Sequence, residues 1–190
     1  MNEQLTKQGD EITCPIAVIV KDGKVLTGHR HYTPDKWKKI SVWTIPGGRS
    51  DLGETIEQTL RRETAEEVNI TDLKILDFIG EVPGAKEGDV VLMFYCTTDQ
   101  EAKLMEPEKF SEWRWVPIKD YIAGEAYSGF NPPARKMITD YLSKLQLTEL
   151  KRATLIASTG ASTRLAGSKL SETRRLRKLV NLLSKSRNIE

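Results

Sequence analysis

Glu63, Glu66 and Glu67 fall within a single helical turn's worth of sequence, downstream of Pro46-Gly47-Gly48. Residues three and four apart share a helix face, so these carboxylates crowd one another. Like charges at that spacing destabilise a helix unless something positive sits among them. A hard divalent cation such as Mg²⁺ fits that place, because it takes oxygen ligands and uses a few carboxylates together with substrate phosphates. Glycines beside such a cluster let backbone come close to metal and phosphate. Arg62 is spaced to pair with Glu54, two turns earlier, and so to orient the cluster; the plain alternative is an ordinary surface ion pair.

Over residues 48–70, GRSDLGETIEQTLRRETAEEVNI, the spacing resembles the signature of the Nudix hydrolases. Gly48 is followed by five residues and Glu54. Seven more lead to Arg62-Glu63, then Thr64, Ala65, Glu66-Glu67, Val68, Asn69 and Ile70. Two positions depart from the pattern. Thr64 stands where an aliphatic residue is usual, and still offers a methyl group to packing. Asn69 replaces the closing glycine, and Asn is the non-glycine residue that best tolerates the left-handed conformation just past a helix end. Without the full spacing and the preceding Ile-Pro-Gly-Gly, ETAEE would read as a solvated helix face.

The resemblance implies Mg²⁺-assisted attack of water on a pyrophosphate bridge, with Mn²⁺ as a substitute ion. By motif position, Gly48, Glu63, Glu66 and Glu67 are the expected metal ligands. Glu63 or Glu66 doubles as base in the family, and a base also comes from a loop after the helix. The loop candidates are Glu106, Glu108 and Glu112, with Glu108 preferred; each also reads as a solvated acid. Arg30 and Arg49 lie in the expected approach to the phosphates. Trp43, Phe94, Trp113 and Trp115 are candidates for stacking a base, with Trp43 and Trp113 assigned to substrate binding; for each, a plain core role is the commoner reading.

Residues 104–121, with Glu-Pro-Glu-Lys followed by Trp-x-Trp, resemble the corresponding stretch of MutT-type nucleoside-triphosphate pyrophosphatases, and Gly129-Phe130-Asn131-Pro132 resembles the ending of some of them. That implies release of pyrophosphate from a (d)NTP, a nucleotide-pool sanitising chemistry. The alternatives are an ADP-ribose or nucleotide-sugar pyrophosphatase, an RNA 5′-end pyrophosphohydrolase, and a non-catalytic nucleotide-sensing module. The intact glutamates argue against the last.

The elements that must position these groups are legible in outline. Residues 12–20 are β-branched and apolar, 21–24 form a hairpin turn, and 25–30 return. A loop covers 32–39, and 41–45 form a short strand. The spacing of Ile56, Leu60, Thr64 and Val68 predicts a helix over 55–68. Strands are expected over 73–81, 90–97 and 113–117, and helices over 117–122 and 134–145. With the resemblance, this predicts an α/β/α sandwich around a mixed β-sheet in residues 1–150.

Residues 157–167, ASTGASTRLAG, read as a linker. Leu176, Leu179, Val180 and Leu183 then form the stripe of an amphipathic helix. Residues 151–190 hold ten basic and two acidic side chains, a charge of +8 that leaves −6 on the rest. A helical tail so charged suits RNA phosphates, an anionic membrane surface, or docking on the body or on a second subunit as a homodimer. No apolar run is long enough to span a membrane. The polar start lacks the apolar core of a secretory signal, and Cys14 and Cys96 read as buried reduced thiols, so a cytoplasmic location is expected.

Overall fold

The computed structural model of the chain describes residues 3–31, 43–124 and 131–165, with 157–165 as backbone only. The chain divides into two units, Met1–Ser143 and Lys144–Glu190. In the first, β1 (Thr13–Lys21), β2 (Lys24–Arg30), β3 (Trp43–Thr44), β4 (Lys74–Pro83), β5 (Val90–Thr97) and β6 (Phe110–Pro117) form one mixed sheet. Its order is β3-β2-β1-β5-β4, with β6 on the other edge of β2. β1 and β5 run parallel from Thr13↔Val90 to Val20↔Thr97, while the remaining pairs are antiparallel.

The hairpin between β1 and β2 turns through Asp22 and Gly23, at φ 49° and 71°. Two successive positive φ values give the tight turn that Asp-Gly favours. β1 and β2 pair only beside this turn, at Val20↔Val25 and Lys21↔Lys24. They then part, and the 46–50 loop takes the vacated edge of β1: Ala17 N donates to the Pro46 carbonyl at 2.8 Å, and Ser50 N to the Thr13 carbonyl at 3.0 Å. The splay of two strands thus delivers Gly47 and Gly48 to the sheet.

Helix α1 (Ile56–Val68) lies on one face of the sheet, where Ile56, Leu60 and Val68 join Ala17, Ile19, Leu26, Leu92, Phe94 and Cys96 in a buried cluster. A capping box fixes its start: Thr55 Oγ1 accepts from Gln58 N, and Gln58 Oε1 accepts from Thr55 N. Asn69 ends it at φ 56°, ψ 33°, its N–H reaching the Ala65 carbonyl while Ile70 N reaches that of Thr64. Both departures from the family pattern are thereby accommodated. Thr64 is fully buried, with its hydroxyl donating to the Leu60 carbonyl at 2.8 Å.

Helices α2 (Ile118–Ala123) and α3 (Pro132–Leu165) follow β6. Ile138 and Leu142 of α3 and Tyr121 of α2 are buried. α3 runs well past the predicted end at 145. Residues 157–165, expected as linker, are helical: Ala153, Ala157 and Ala161 are strong helix formers, and one glycine, Gly160, costs only about 1 kcal/mol. In the second unit, Leu147, Leu150, Leu155 and Ile156 are exposed. The amphipathic stripe at 176–183 and the loop over 32–39 lie outside the described residues. Among the described residues no helix is long and apolar enough to cross a membrane.

Candidate active site

The carboxyl end of α1 meets the 46–50 loop. Gly47 adopts φ 141°, and Gly47 N donates to Glu67 Oε2 at 2.9 Å. A side chain on Gly48 would press on the Glu63 carboxylate and displace it, while at Gly47 the positive φ and the abutting Pro15 carbonyl and Ile16 Cα favour glycine. Glu67 is 7% exposed. Burial pushes its carboxyl up to about 8, opposed by the Gly47 hydrogen bond and assisted by the charges of Glu63 and Glu106. Burial also raises Glu63, against the pull of Arg62.

Arg62 holds this cluster together. Its Nε and Nη2 grip Glu54 at 2.8 and 3.0 Å, Nη1 reaches Glu63 at 2.8 Å and Glu66 at 3.1 Å, and Nη2 also donates to the Arg49 carbonyl at 3.0 Å. Arg62 holds Glu54 down at about 2. The pairing of Arg62 with Glu54 expected from the spacing is present, and Arg62 also contacts Glu63 and Glu66.

A cleft of about 300 Å³ opens beside Glu67. Arg30, Arg49, Lys86 and Arg135 line it, as do Gly47, Gly48, Ile16, Ile45, Val91 and Ile138. Arg30 and Arg49, both expected from the sequence to be near the phosphates, thus share this cleft with Glu67. Burial lowers the Arg30 guanidinium somewhat, and the Glu67 carboxylate counters it.

Three sequence expectations are placed differently. Glu108 is exposed in the turn before β6, whereas Glu106 is partly buried and its charge acts on Glu67. Backbone bonds cause this: Lys103 N and Met105 N donate to the carbonyls of Val68 and Glu67, tying the 103–106 segment to the end of α1. Glu106 Oε1 pairs with Lys109, and Oε2 is buried with no partner among the described residues. Glu112 pairs instead with Arg114. Trp113 does not line the cleft; it packs on the α1-side core, against Phe110 and over Gly28. Trp43 is also outside the lining, edge-on to His29 at 4.8 Å with the Arg114 guanidinium 5.4 Å from its ring. Phe94 belongs to the same core as Trp113 and Trp115. Strand alternation puts Trp113 and Trp115 on one face, but only the closed sheet decides that this face is the one under α1. The aromatic that does line the cleft, Tyr121, carried no sequence signal beyond a short helix pattern.

The donor set suits a hard cation. Glu67 is buried and Glu63 half-buried, burial opposes the ionisation of both, and Glu106 adds an unpaired buried oxygen. A divalent ion would relieve all three. Among the described residues no three acids are gathered into a ready cage, and Arg62 takes up oxygens of Glu63 and Glu66.

The sheet, its flanking helices and this carboxylate cluster define a hydrolase class that comparison with known proteins makes specific. The NUDIX domain model matches residues 13–141, and the chain belongs to that family. It is 28% identical over 117 residues to an NAD-capped RNA hydrolase, NudC, of Mannheimia succiniciproducens, covering 60% of this chain and 43% of that relative, which is therefore more than twice the matched length. It is 26% identical over 155 residues to an RNA pyrophosphohydrolase of a Wolbachia from Brugia malayi, covering 72% and 92%. Among solved structures, a Nudix hydrolase of Nitrosomonas europaea superimposes with a TM-score of 0.58 at 18% identity, covering 73% of this chain and 72% of that one. The MutT protein of Methanosarcina mazei gives 0.56 at 20% identity, covering 71% and 94%. These structural likenesses establish the fold.

Proposed function

We propose that this Nudix hydrolase cleaves the pyrophosphate bridge of a small nucleotide, a (d)NTP being converted to the monophosphate and pyrophosphate with Mg²⁺ or Mn²⁺. The observation that carries the reading is the make-up of one cleft: Glu67 and the glycine loop, four cationic side chains, and an apolar floor of Ile16, Ile45, Val91 and Ile138. A ligand matching it is anionic at one end and flat and apolar at the other. The volume, at the lower end of small-molecule sites, suits one nucleotide.

Glu63, Glu66 and Glu67, with the Gly48 carbonyl and Glu106, are the groups proposed to hold the ion. Once bound, a divalent ion neutralises phosphate charge and lowers the pKa of a coordinated water. Arg30 and Arg49 bind and orient the phosphate chain, since preorganised cations stabilise charge on the transferring phosphoryl group. Arg62 keeps the Glu63 carboxylate oriented through its anchor on Glu54. Glu106 is the residue proposed to take the proton of the attacking water, because its Oε2 is buried without a partner among the described residues, its charge acts on Glu67, and it belongs to the loop after the helix.

A second reading has its own support. RNA pyrophosphohydrolases recur among the relatives, and residues 151–190 carry the +8 charge that RNA phosphates favour. One assay separates the two. Purified full-length protein with Mg²⁺ is given (d)NTPs, ADP-ribose, nucleotide sugars, 5′-triphosphorylated RNA and NAD-capped RNA, with phosphate, pyrophosphate and monophosphate scored separately. Pyrophosphate and NMP from a (d)NTP is the expected result. Turnover of the RNAs alone transfers the assignment to the second reading.

A further inference from the structure

The run Glu106-Pro107-Glu108-Lys109 forms a tight turn. Lys109 N and Phe110 N both donate to the Glu106 carbonyl at 3.0 Å, and proline at the second position presets the backbone for such a turn. Both ends are anchored. Met105 N donates to the Glu67 carbonyl at 3.3 Å, and His31 N to the Lys109 carbonyl at 2.8 Å. The turn therefore sets an ammonium three residues after the loop carboxylate. The two side chains pair, Lys109 Nζ donating to Glu106 Oε1 at 2.5 Å.

Lys109 faces more than its partner. Glu106 acts on it first, then Glu67 and Glu63, and its charge is felt at Glu63 in return. All three acids are among the groups proposed to hold the ion. Arg62, which also neutralises Glu63, is 25% exposed and locked by Glu54 and by the Arg49 carbonyl. The Lys109 side chain is 59% exposed. A lysine is a compact point charge on a flexible stem, so this one leaves the carboxylates for water by side-chain rotation alone.

Two cations thus compete for one set of carboxylates. A divalent ion at Glu106 and Glu67 either displaces the ammonium or lies beside it, and like charges at such range repel. Holding Glu106 in place is not what the lysine is needed for, because the backbone bonds of the turn already fix that residue's main chain. On the metal reading of the proposed function, we infer that Lys109 is an internal counter-cation of the carboxylate cluster and sets the divalent-ion concentration at which the site fills. It offsets the mutual repulsion of Glu63, Glu67 and Glu106 when no ion is bound, and it weakens the hold of the site when one is. The cation threshold is thereby tuned by a side chain outside residues 48–70.

Mn²⁺ binding to the full chain, with no nucleotide present, tests this apart from turnover, because the ion loses its free-solution electron paramagnetic resonance signal when bound. Binding that disappears in Glu67→Gln belongs to this site. Lys109→Met is expected to tighten that binding about three- to tenfold in Kd. Lys109→Gln is expected to do the same, and stands in should the Met variant fail to fold by circular dichroism. Lys109→Arg keeps the charge and is expected within about twofold of the wild type. Lys74→Met removes a lysine on which Asp99 and Asp72 act instead, and is also expected within about twofold, which separates a local effect from a change in net charge. Mg²⁺, competing for the bound Mn²⁺, is expected to reproduce this order. An unchanged or weaker Kd in the two neutral Lys109 variants overturns the inference, as does equal tightening in Lys74→Met. Mn²⁺ binding indifferent to Glu67→Gln removes the metal reading and this inference with it. Tighter binding in Lys109→Met by a protein that hydrolyses no nucleotide would sink the proposed function and leave this inference standing.

Discussion

At the scale of single residues, Glu67 concentrates the tension of the site. Its carboxyl is raised from the ordinary 4.5 to about 8, so the folded protein holds that proton more tightly than the unfolded chain does. The resulting stability is fully present below about pH 4.5 and is lost as pH rises through 8. Without metal, Glu67→Gln is therefore expected to melt higher than the wild type at pH 8.5 and nearly level with it at pH 4.5. The same change should abolish Mg²⁺-dependent hydrolysis. Thermal melts at the two pH values and a turnover assay check both halves; a variant with wild-type turnover would remove Glu67 from the metal set. Glu54 behaves oppositely. Arg62 holds it at about 2, so its contribution is present above the ordinary carboxylate range and lost as pH falls through that value. Glu54→Gln is expected to cost about 2 kcal/mol at pH 7, read by denaturant unfolding, with the gap closing as the pH approaches 2.

The elements show why some of this was legible in sequence and some was not. The signature helix could be read closely because its start, stripe and stop are all local. Thr55 and Gln58 form the capping box, Ile56, Leu60 and Val68 the buried stripe, and Asn69 the left-handed end. Replacing Asn69 by Gly should be neutral or slightly stabilising, and by Val destabilising by about 1 kcal/mol or more, since a β-branched side chain resists positive φ. Thr55→Ala should cost about 1 kcal/mol through the lost cap. Differential calorimetry resolves both. The choice among Glu106, Glu108 and Glu112 was not local. It depends on the hydrogen bonds from Lys103 and Met105 to the last turn of α1, which join residues some 35 positions apart. The tryptophans posed a similar problem: alternation groups Trp113 with Trp115 but cannot say which face of the sheet α1 covers. The helical reach of α3 to Leu165 was hidden by Ser, Thr and Gly among the alanines, residues that read as linker until a preceding helix continues into them.

At the scale of the whole molecule, every described residue that lines the cleft precedes Ser143 and belongs to the first unit. Removing residues 151–190 is accordingly expected to leave nucleotide turnover within about twofold, whereas any affinity for RNA should fall and lose its steep salt dependence. Steady-state kinetics and a filter-binding titration across salt concentrations check the two outcomes. A collapse of nucleotide turnover in the truncated chain would mean that the tail completes the site.

The way β1 and β2 part has a consequence for how the protein comes to exist at all. The 46–50 loop is held by Ala17 and Ser50 bonds to its sheet edge, and β1 itself is flanked by a parallel partner more than seventy residues later in the chain. Loop closure over such distances is slow, and the β1–β5 pairing rewards the chain only once residues as far on as Thr97 are in place. The acidic turn of α1, by contrast, can form early from local signals. A refolding chain should therefore gain helical circular dichroism before it gains turnover, which makes the return of activity a late clock for completion of the sheet.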